Sequence, residues 1–409
     1  MKITLKKIKG YALKNALAHQ GNANQGAVIS GLFAEGLKKD KVKDVIKDVS
    51  KIVSEVNKLS LEEQKKEFEK LEKQIHERKT REGLEELSNV KKSGVIMRFA
   101  PSPSGALHIG HAMTSSLSYL YVKKYKGKFY IRIEDTNPGN IYKPAYKLIE
   151  KDIKWLFKDD KKIKIIIQSK RMDSYYKYAE ELIKKSSAYV CTCDSEKFKK
   201  FADSKENCPC RNNDLKENIF RWKKMLDKTS KGFKEGQAVL RFETPENIGG
   251  MKHPNPAMRD FPLARINETP HPLQKKKYKV WPLMNLAVAV DDIEQEMTHI
   301  IRAKEHRDNA KRQEMIYKAL GKEKQFPWTG FLGRFKFKDM ELSSSKITQG
   351  IKEGKYSGWS DPKLPTLQAL KKKYKPEAFW RFAEKIGISE NDKVMDKKDF
   401  FELLNNFNK

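Results

Sequence analysis

The stretch VIMRFAPSPSGALHIGHAMTSSLSYLYVKKYKGKFYIRIEDTNP (95–138) decides how this chain is read. VIMRFA (95–100) is short and mostly apolar, as a strand is, and the turn-forming PSPSG (101–105) ends it. LHIGHAMTSSLSYLYVKKY (107–125) then sets Leu107, Met113, Leu117, Leu120 and Tyr121 near 3.6-residue spacing, which predicts a helix. KFYIRIED (128–135) alternates Phe129, Ile131 and Ile133 as a strand would. Strand, glycine-bearing turn, helix and strand make a βαβ unit, hence a parallel sheet with a right-handed crossover. Ligands of such sheets bind at the carboxyl ends of the strands. PSPSG and IEDTNP are thereby placed at one mouth, with Arg98 and Glu134 pointing into it.

The chemistry of that mouth follows from its residue types. A helix N-terminus offers free N–H groups and a partial positive charge, which suit an anionic phosphate. His108 and His111, three residues apart, share one side of the first turn and can donate to phosphate oxygens. Gly110 between them lets a nucleotide come close to the backbone.

Composition bounds the rest. At 409 residues, two to four domains are expected. A net charge of +31, mostly lysine, favours a polyanionic partner, with nucleic acid ahead of a membrane surface. No run approaches the roughly 18 apolar residues of a membrane helix. MKITLKKIKG lacks the apolar core of a secretory signal, so a cytoplasmic protein is expected.

Around the βαβ unit, residues 1–92 read as a helical extension: short helices punctuated by Gly21, Gly26 and Gly31, then a charged helix over 59–88. Residues 187–277 interrupt the α/β pattern as an inserted subdomain within a catalytic domain spanning 93–340. A buried-sheet texture returns at VWPLMNLAVAVDD (280–292), followed by a basic helix over 300–320. Residues 341–409 read as helical, polar and lysine-rich. The only thiols, Cys191, Cys193, Cys208 and Cys210, form C-x-C, fourteen residues, C-x-C. In a reducing compartment that clustering suggests a closed, structural tetrahedral Zn2+ site bracing the insert. FRWKKML (220–226) and KYKPEAFWRFAEK (373–385) interleave basic and aromatic residues, as RNA-contacting helices do.

MRFAPSPSGALHIGHA, RIEDTNP (132–138) and LSSSK (342–346) resemble the active-site signatures of glutamyl-tRNA synthetases of the archaeal type. KNALAHQGNANQGAV, HPNPAMRD, THIIRAKEH, GKYSGW and DPKLPTL extend the resemblance over nearly the whole chain. It implies a Rossmann-like catalytic domain, an insert that meets the tRNA acceptor arm, and a C-terminal helical region against the tRNA stem. It also implies the substrates L-glutamate, Mg2+·ATP and tRNA(Glu), with tRNA(Gln) left open. Pro101, Gly105, His108, Gly110, His111, Ser343 and Lys346 would hold ATP. Of these His108, His111 and Lys346 would be catalytic, while Arg98, Ser102, Glu134, Met284 and Arg302 would line the amino-acid site. By the resemblance, Arg98 meets the side-chain carboxylate, Glu134 the α-amino group, and Arg302 favours glutamate over glutamine.

The chain departs from the pattern in places. Glu341 and Ser344 stand where the second signature has lysines, which leaves Lys346 as the pyrophosphate-stabilising candidate and Arg334 or Lys336 in reserve. Trp281, Met284 and Glu296 also differ, and Met284 would loosen the side-chain carboxylate contact. Relatives continue into β-barrels that read the anticodon, and 341–409 has no such pattern. A second polypeptide supplying that function, selection by the acceptor arm alone, or a boundary of the sequence itself are all open. The competing readings are a glutaminyl-tRNA synthetase, a relative that glutamylates a tRNA base, and an inactive tRNA-binding protein.

Overall fold

The computed structural model describes residues 3–75, 83–340 and 342–409, in two compact units, Met1–Arg81 and Glu82–Lys409. In the first, α1 (Leu5–Ala18), α2 (Gln25–Ala34), α3 (Val42–Val56) and α4 (Leu61–Leu71) enclose a core of Ile8, Leu13, Val28, Leu32 and Val53. Gly31 is small because the Tyr11 ring lies on it; a Cβ there would sit 2.4 Å from that ring. Ser60 and Glu63 form a reciprocal cap that starts α4. The helix expected over 59–88 is cut to Leu61–Leu71 and a single 3-10 turn. Residues 76–82 lie outside the described residues, and 83–90 are irregular. Charge and propensity alone cannot sustain a helix that has little apolar face to bury.

The second unit begins with the expected βαβ. Strand β1 (Ile96–Phe99) leads through the PSPSG turn into α5 (Ile109–Lys124) and then β2 (Lys128–Ile133). The two strands pair in parallel, Arg98 opposite Tyr130. After α6 (Ala145–Leu156), β3 (Ile163–Ile167) extends the parallel sheet beyond β2. On the other side of β1, the Thr298 amide donates to the Ile96 carbonyl at 3.0 Å and leads into β8 (His299–Ala303). β8 in turn pairs in parallel with β9 (Trp328–Leu332). The Rossmann-like parallel sheet expected from 95–138 is therefore present.

The insert follows α7 (Met172–Lys184). It is an antiparallel sheet in the order β4 (Ala188–Cys191), β5 (Val239–Phe242), β6 (Pro262–Ile266) and β7 (Val280–Pro282), with α8 (Ser195–Ser204) and α9 (Leu215–Leu226). The buried-sheet reading of 280–292 holds only for β7; Met284–Glu294 is a helix, α10, buried from Asn285 to Ile293. An all-apolar run carries no periodicity that separates a buried strand from a buried helix. Likewise the first residues of the expected helix at 300–320 are β8, and the helix α11 is Arg307–Ala319.

The C-terminal segment comprises β10 (Phe335–Phe337), α12 (Ser344–Lys352), α13 (Leu367–Leu370), α14 (Pro376–Ile386), β11 (Lys393–Met395) and α15 (Lys397–Phe407). Its expected wholly helical texture is broken by β11, which pairs with β10. Phe379, Phe382 and Phe400 are fully buried in the core shared with α5. The aromatics of 373–385 are therefore structural, with Tyr374 also buried and the Trp380 indole donating to the Leu156 carbonyl.

Gly127, which turns α5 into β2, has no room for a side chain: a Cβ would lie 1.9 Å from the Val95 carbonyl oxygen. That oxygen is fixed because it accepts from the Lys128 amide at 2.8 Å. Gly127→Ala is expected to destabilise the catalytic unit by about 1–3 kcal/mol, read as a lower unfolding midpoint in calorimetry. An unchanged midpoint would mean that β1 and β2 can separate at no cost.

Candidate active site

The two histidines are organised by the first turn of α5. The His108 Nδ1 accepts from the Gly110 amide at 3.1 Å, and the His111 Nδ1 accepts from the His108 amide at 3.3 Å. The rings stack with centroids 3.7 Å apart. Burial, with His111 beside it, holds His108 well below the ordinary imidazole value, and burial takes His111 down to about 4. Both rings are therefore neutral near pH 7, and with each Nδ1 accepting, the proton sits on Nε2. Two Nε2–H donors at a helix N-terminus make a place for phosphate oxygens.

The loop below is braced by the C-terminal segment. The Ile109 amide donates to the Pro365 carbonyl at 3.0 Å, and the Leu367 amide to the Leu107 carbonyl at 2.8 Å. Gly105 lies against the Trp359 indole, where a Cβ would meet ring carbon at 2.3 Å. Pro101 accepts from the Glu134 amide at 3.0 Å, which joins the PSPSG turn to the end of β2. Ser102 is exposed on that turn.

A cavity of about 330 Å3 opens beside the histidine turn, with His108, Gly110, Leu332, Arg334, Lys336 and Leu342 among its walls. Lys346 is exposed in the first turn of α12, where the Ser343 hydroxyl caps its amide, and it is not part of the cavity wall. The two residues held in reserve, Arg334 and Lys336, are. Arg334 also pairs with Glu305. Ser344 belongs to α12, and Glu341 lies outside the described residues.

Arg98, Glu134 and Arg302 converge on a buried ion network. Arg98 grips Asp292 of α10 with two bonds of 2.7 and 3.1 Å. Arg132 donates to Asp292 at 2.6 Å and to Glu134 at 3.2 Å. Arg171 and Tyr175 hold Asp291. Burial would raise the Asp292 carboxyl, but Arg132 and Arg98 outweigh it and keep it below the usual carboxylate value. Arg98 and Glu134 do not pair with each other; each has its own partner. Arg302 differs from the other three arginines. It is 8% exposed and its bond partner is the neutral Gln313 at 2.8 Å, while its Nε, like that of Arg132, is buried with no hydrogen-bond partner. Burial, with Arg98 nearby, pulls its guanidinium down to about 10. Met284 stands at the start of α10 with its side chain 39% exposed. Asp292 and Arg132 escaped the sequence reading. The available signal was an Asp–Asp pair closing an apolar run, which in a core demands cations.

The four cysteine sulfurs lie within 4.8 Å of one another, with neighbours at 3.5 to 3.9 Å. The Thr192 amide and the Arg221 guanidinium both point at the Cys210 sulfur. In α9 next to them, Trp222 is buried and Phe220 is 60% exposed.

Residues 94–406 match the family described as “tRNA synthetases class I (E and Q), catalytic domain”. The chain belongs to this family. The synthetase is 42% identical over 397 residues to the glutamate–tRNA ligase of Methanothermobacter thermautotrophicus, covering 96% of this chain and 69% of that protein. It is 43% identical over 388 residues to the glutamate–tRNA ligase of Methanocaldococcus jannaschii, covering 94% and 68%. The crystal structure of a glutamate-tRNA synthetase from Elizabethkingia anophelis superimposes with a TM-score of 0.51 at 19% identity, over 76% of this chain and 70% of that one, and so shares the fold. Like its relatives the synthetase is an aminoacyl-tRNA ligase. No helix among the described residues is long and apolar enough to cross a membrane.

One further residue of the synthetase, Asp152 of α6, is wholly buried behind the histidine turn. It accepts from the Leu107 amide at 3.3 Å and from Gln368, with the Lys371 ammonium at 3.9 Å. Burial raises its carboxyl from 3.8 to about 7, against the pull of Lys371. Between these two values the native state keeps a proton that the unfolded chain has released, so this group's contribution to stability declines as pH rises from about 4 to 7. In urea unfolding, Asp152→Asn should remove that decline, and the difference between variant and wild type should grow across the interval. Parallel profiles would show that Asp152 does not titrate there.

Proposed function

We propose that the synthetase activates L-glutamate with Mg2+·ATP and esterifies it to the 3′ end of tRNA(Glu). Arg302 carries this reading. A buried guanidinium with no carboxylate partner and an orphaned Nε is costly to maintain, and a ligand carboxylate is the group that would satisfy it. Glutamate brings such a carboxylate; glutamine brings a neutral amide that would leave the cation uncompensated. Glu134 at the end of β2 offers a carboxylate for the α-ammonium, and Arg98, fixed by Asp292, frames the same mouth.

The chemistry needs no enzyme nucleophile. An oxygen of the glutamate α-carboxylate attacks the α-phosphorus of ATP; the bond to the bridging oxygen breaks, and pyrophosphate leaves as the adenylate forms. A hydroxyl of the terminal ribose then attacks the adenylate carbonyl, loses its proton, and releases AMP. The protein acts by alignment and charge stabilisation. The neutral His108 and His111 donate from Nε2 to phosphate oxygens, and Gly110 lets the nucleotide approach. Arg334 and Lys336, on the cavity wall, are better placed for the departing pyrophosphate than Lys346. The divalent cation travels with ATP and neutralises phosphate charge.

The cysteine cluster is proposed to bind Zn2+. Tetrahedral thiolate zinc with bonds of about 2.3 Å requires sulfurs about 3.8 Å apart, close to the separations found. A cation at their centre removes the repulsion of clustered thiolates, and the Thr192 amide and Arg221 supply the outer hydrogen bonds such ligands take.

Offered both amino acids and purified tRNAs, the synthetase should place glutamate on the 3′ end of tRNA(Glu). An ester on a modified base, or no ester at all, would overturn the assignment. With tRNA present, His108→Ala should abolish ATP–pyrophosphate exchange while the unfolding midpoint is retained. Arg302→Gln should lower kcat/KM for glutamate about 30-fold or more, the equivalent of roughly 2 kcal/mol for an uncompensated charge. For the metal, elemental analysis should find about one zinc per chain, lost in Cys208→Ser with destabilisation of the insert. Stoichiometric zinc in that variant would rule the site out.

A further inference from the structure

Beyond the cavity and the ion network, the run Gln274-Lys275-Lys276-Lys277 in the insert is held in an unusual way. All three lysines are exposed. Lys277 leans on the Tyr278 ring, whereas Lys275 and Lys276 form no ion pair among the described residues. Their backbone is nevertheless fixed. His271 and Lys275 exchange both amide–carbonyl bonds, at 2.9 and 2.7 Å. The His271 ring is buried, stacked on Trp281 with centroids 4.9 Å apart. Its Nδ1 accepts from the Leu273 and Gln274 amides, so its proton is on Nε2, which donates to the Asp135 carbonyl at 3.0 Å. Asp135 follows Glu134 directly beyond β2 and is itself held by Ser169 and Tyr146.

An exposed pair of lysines is ordinarily a solvated surface feature. Here the turn that carries them is bolted by a buried imidazole to the strand end bearing the amino-acid-site carboxylate. The backbone of Lys275 is one residue pairing from His271, and His271 is one hydrogen bond from the mouth. Unpaired ammonium groups at a fixed station beside a reacting centre suit phosphodiester oxygens, which accept point charges without base preference. We infer that the 271–277 turn is a phosphate rest for the acceptor strand of the RNA, which positions the 3′ end by charge contacts from Lys275 and Lys276. The inference rests on the tRNA-charging reading above. The coupling runs through His271: the turn that touches the RNA and the strand that touches the amino acid move as one piece.

The test is the Lys275→Ala/Lys276→Ala variant beside Lys161→Ala/Lys162→Ala, two exposed lysines at the opposite, N-terminal end of β3. Binding of a tRNA(Glu) transcript is measured against salt concentration, together with steady-state charging. Lys275→Ala/Lys276→Ala should raise KM for tRNA about 10-fold and lower the slope of log K against log salt by about 2. KM for glutamate and for ATP should stay within about 2-fold. The Lys161→Ala/Lys162→Ala control should leave the slope and KM for tRNA near wild type. Equal effects in both variants, or an unchanged slope in the first, would overturn the inference. Failure of wild type to charge tRNA(Glu) would instead strike the functional reading.

Discussion

The Asp292 carboxylate, clamped between Arg98 and Arg132, is the interaction on which the catalytic unit depends. It joins β1, β2 and α10, with Arg98 and Asp292 separated by 194 residues in sequence. Removing a carboxylate and two guanidiniums from water costs several kcal/mol per ion unless each is paired and hydrogen-bonded. Asp291 repeats the arrangement one residue earlier, with Arg171, Tyr175 and Gln168 around it. Within this network Arg302 is the arginine that no carboxylate grips, its hydrogen bond going to the neutral Gln313. A pocket that must tell glutamate from glutamine needs a cation that the protein itself does not neutralise.

The nucleotide turn depends on a second constraint, of backbone rather than charge. PSPSG and the histidine turn are stapled by amide–carbonyl bonds from Pro365 and Leu367, floored by Trp359 under Gly105, and backed by Asp152. The C-terminal segment thus braces the histidine turn and cannot be regarded as an appended arm. The aromatic core of Phe379, Phe382 and Phe400 carries the packing that holds it against α5.

The β1–α5–β2 unit was legible because its two periodicities, helix and strand, are separated by glycine and proline. The placement of Arg98 and Glu134 at neighbouring strand ends was also legible, whereas Arg302 lay in a stretch that reads as a helix and is the strand β8. What was not legible were partners remote in sequence. Asp292 closes a run whose apolar residues face inward all round, so neither its helix nor its role shows in the periodicity. Lys346 follows the signature spacing, yet the cavity wall is built by Arg334 and Lys336, whose positions depend on β9 and β10. In 373–385 the alternation of basic and aromatic residues resembled an RNA surface. The aromatics of α14 instead turn inward, with Arg381 and Lys385 outward.

The division between the two cations completes the electrostatic picture. Among the described residues the buried cations are arginines, including Arg98, Arg132, Arg211, Arg259 and Arg302, and no lysine is buried. A buried lysine readily sheds its proton, whereas a guanidinium keeps its charge and forks onto carboxylates. On the proposed reading, recognition of the small substrate falls to fixed arginines in a desolvated site. The lysines, which dominate the +31 net charge, stay in water. There they act on a polyanion at long range and subject to salt. Only where a turn fixes a lysine backbone, as His271 does beside Asp135, can this surface charge act at a defined place. The general attraction of a basic protein for RNA then becomes a register for the reacting end.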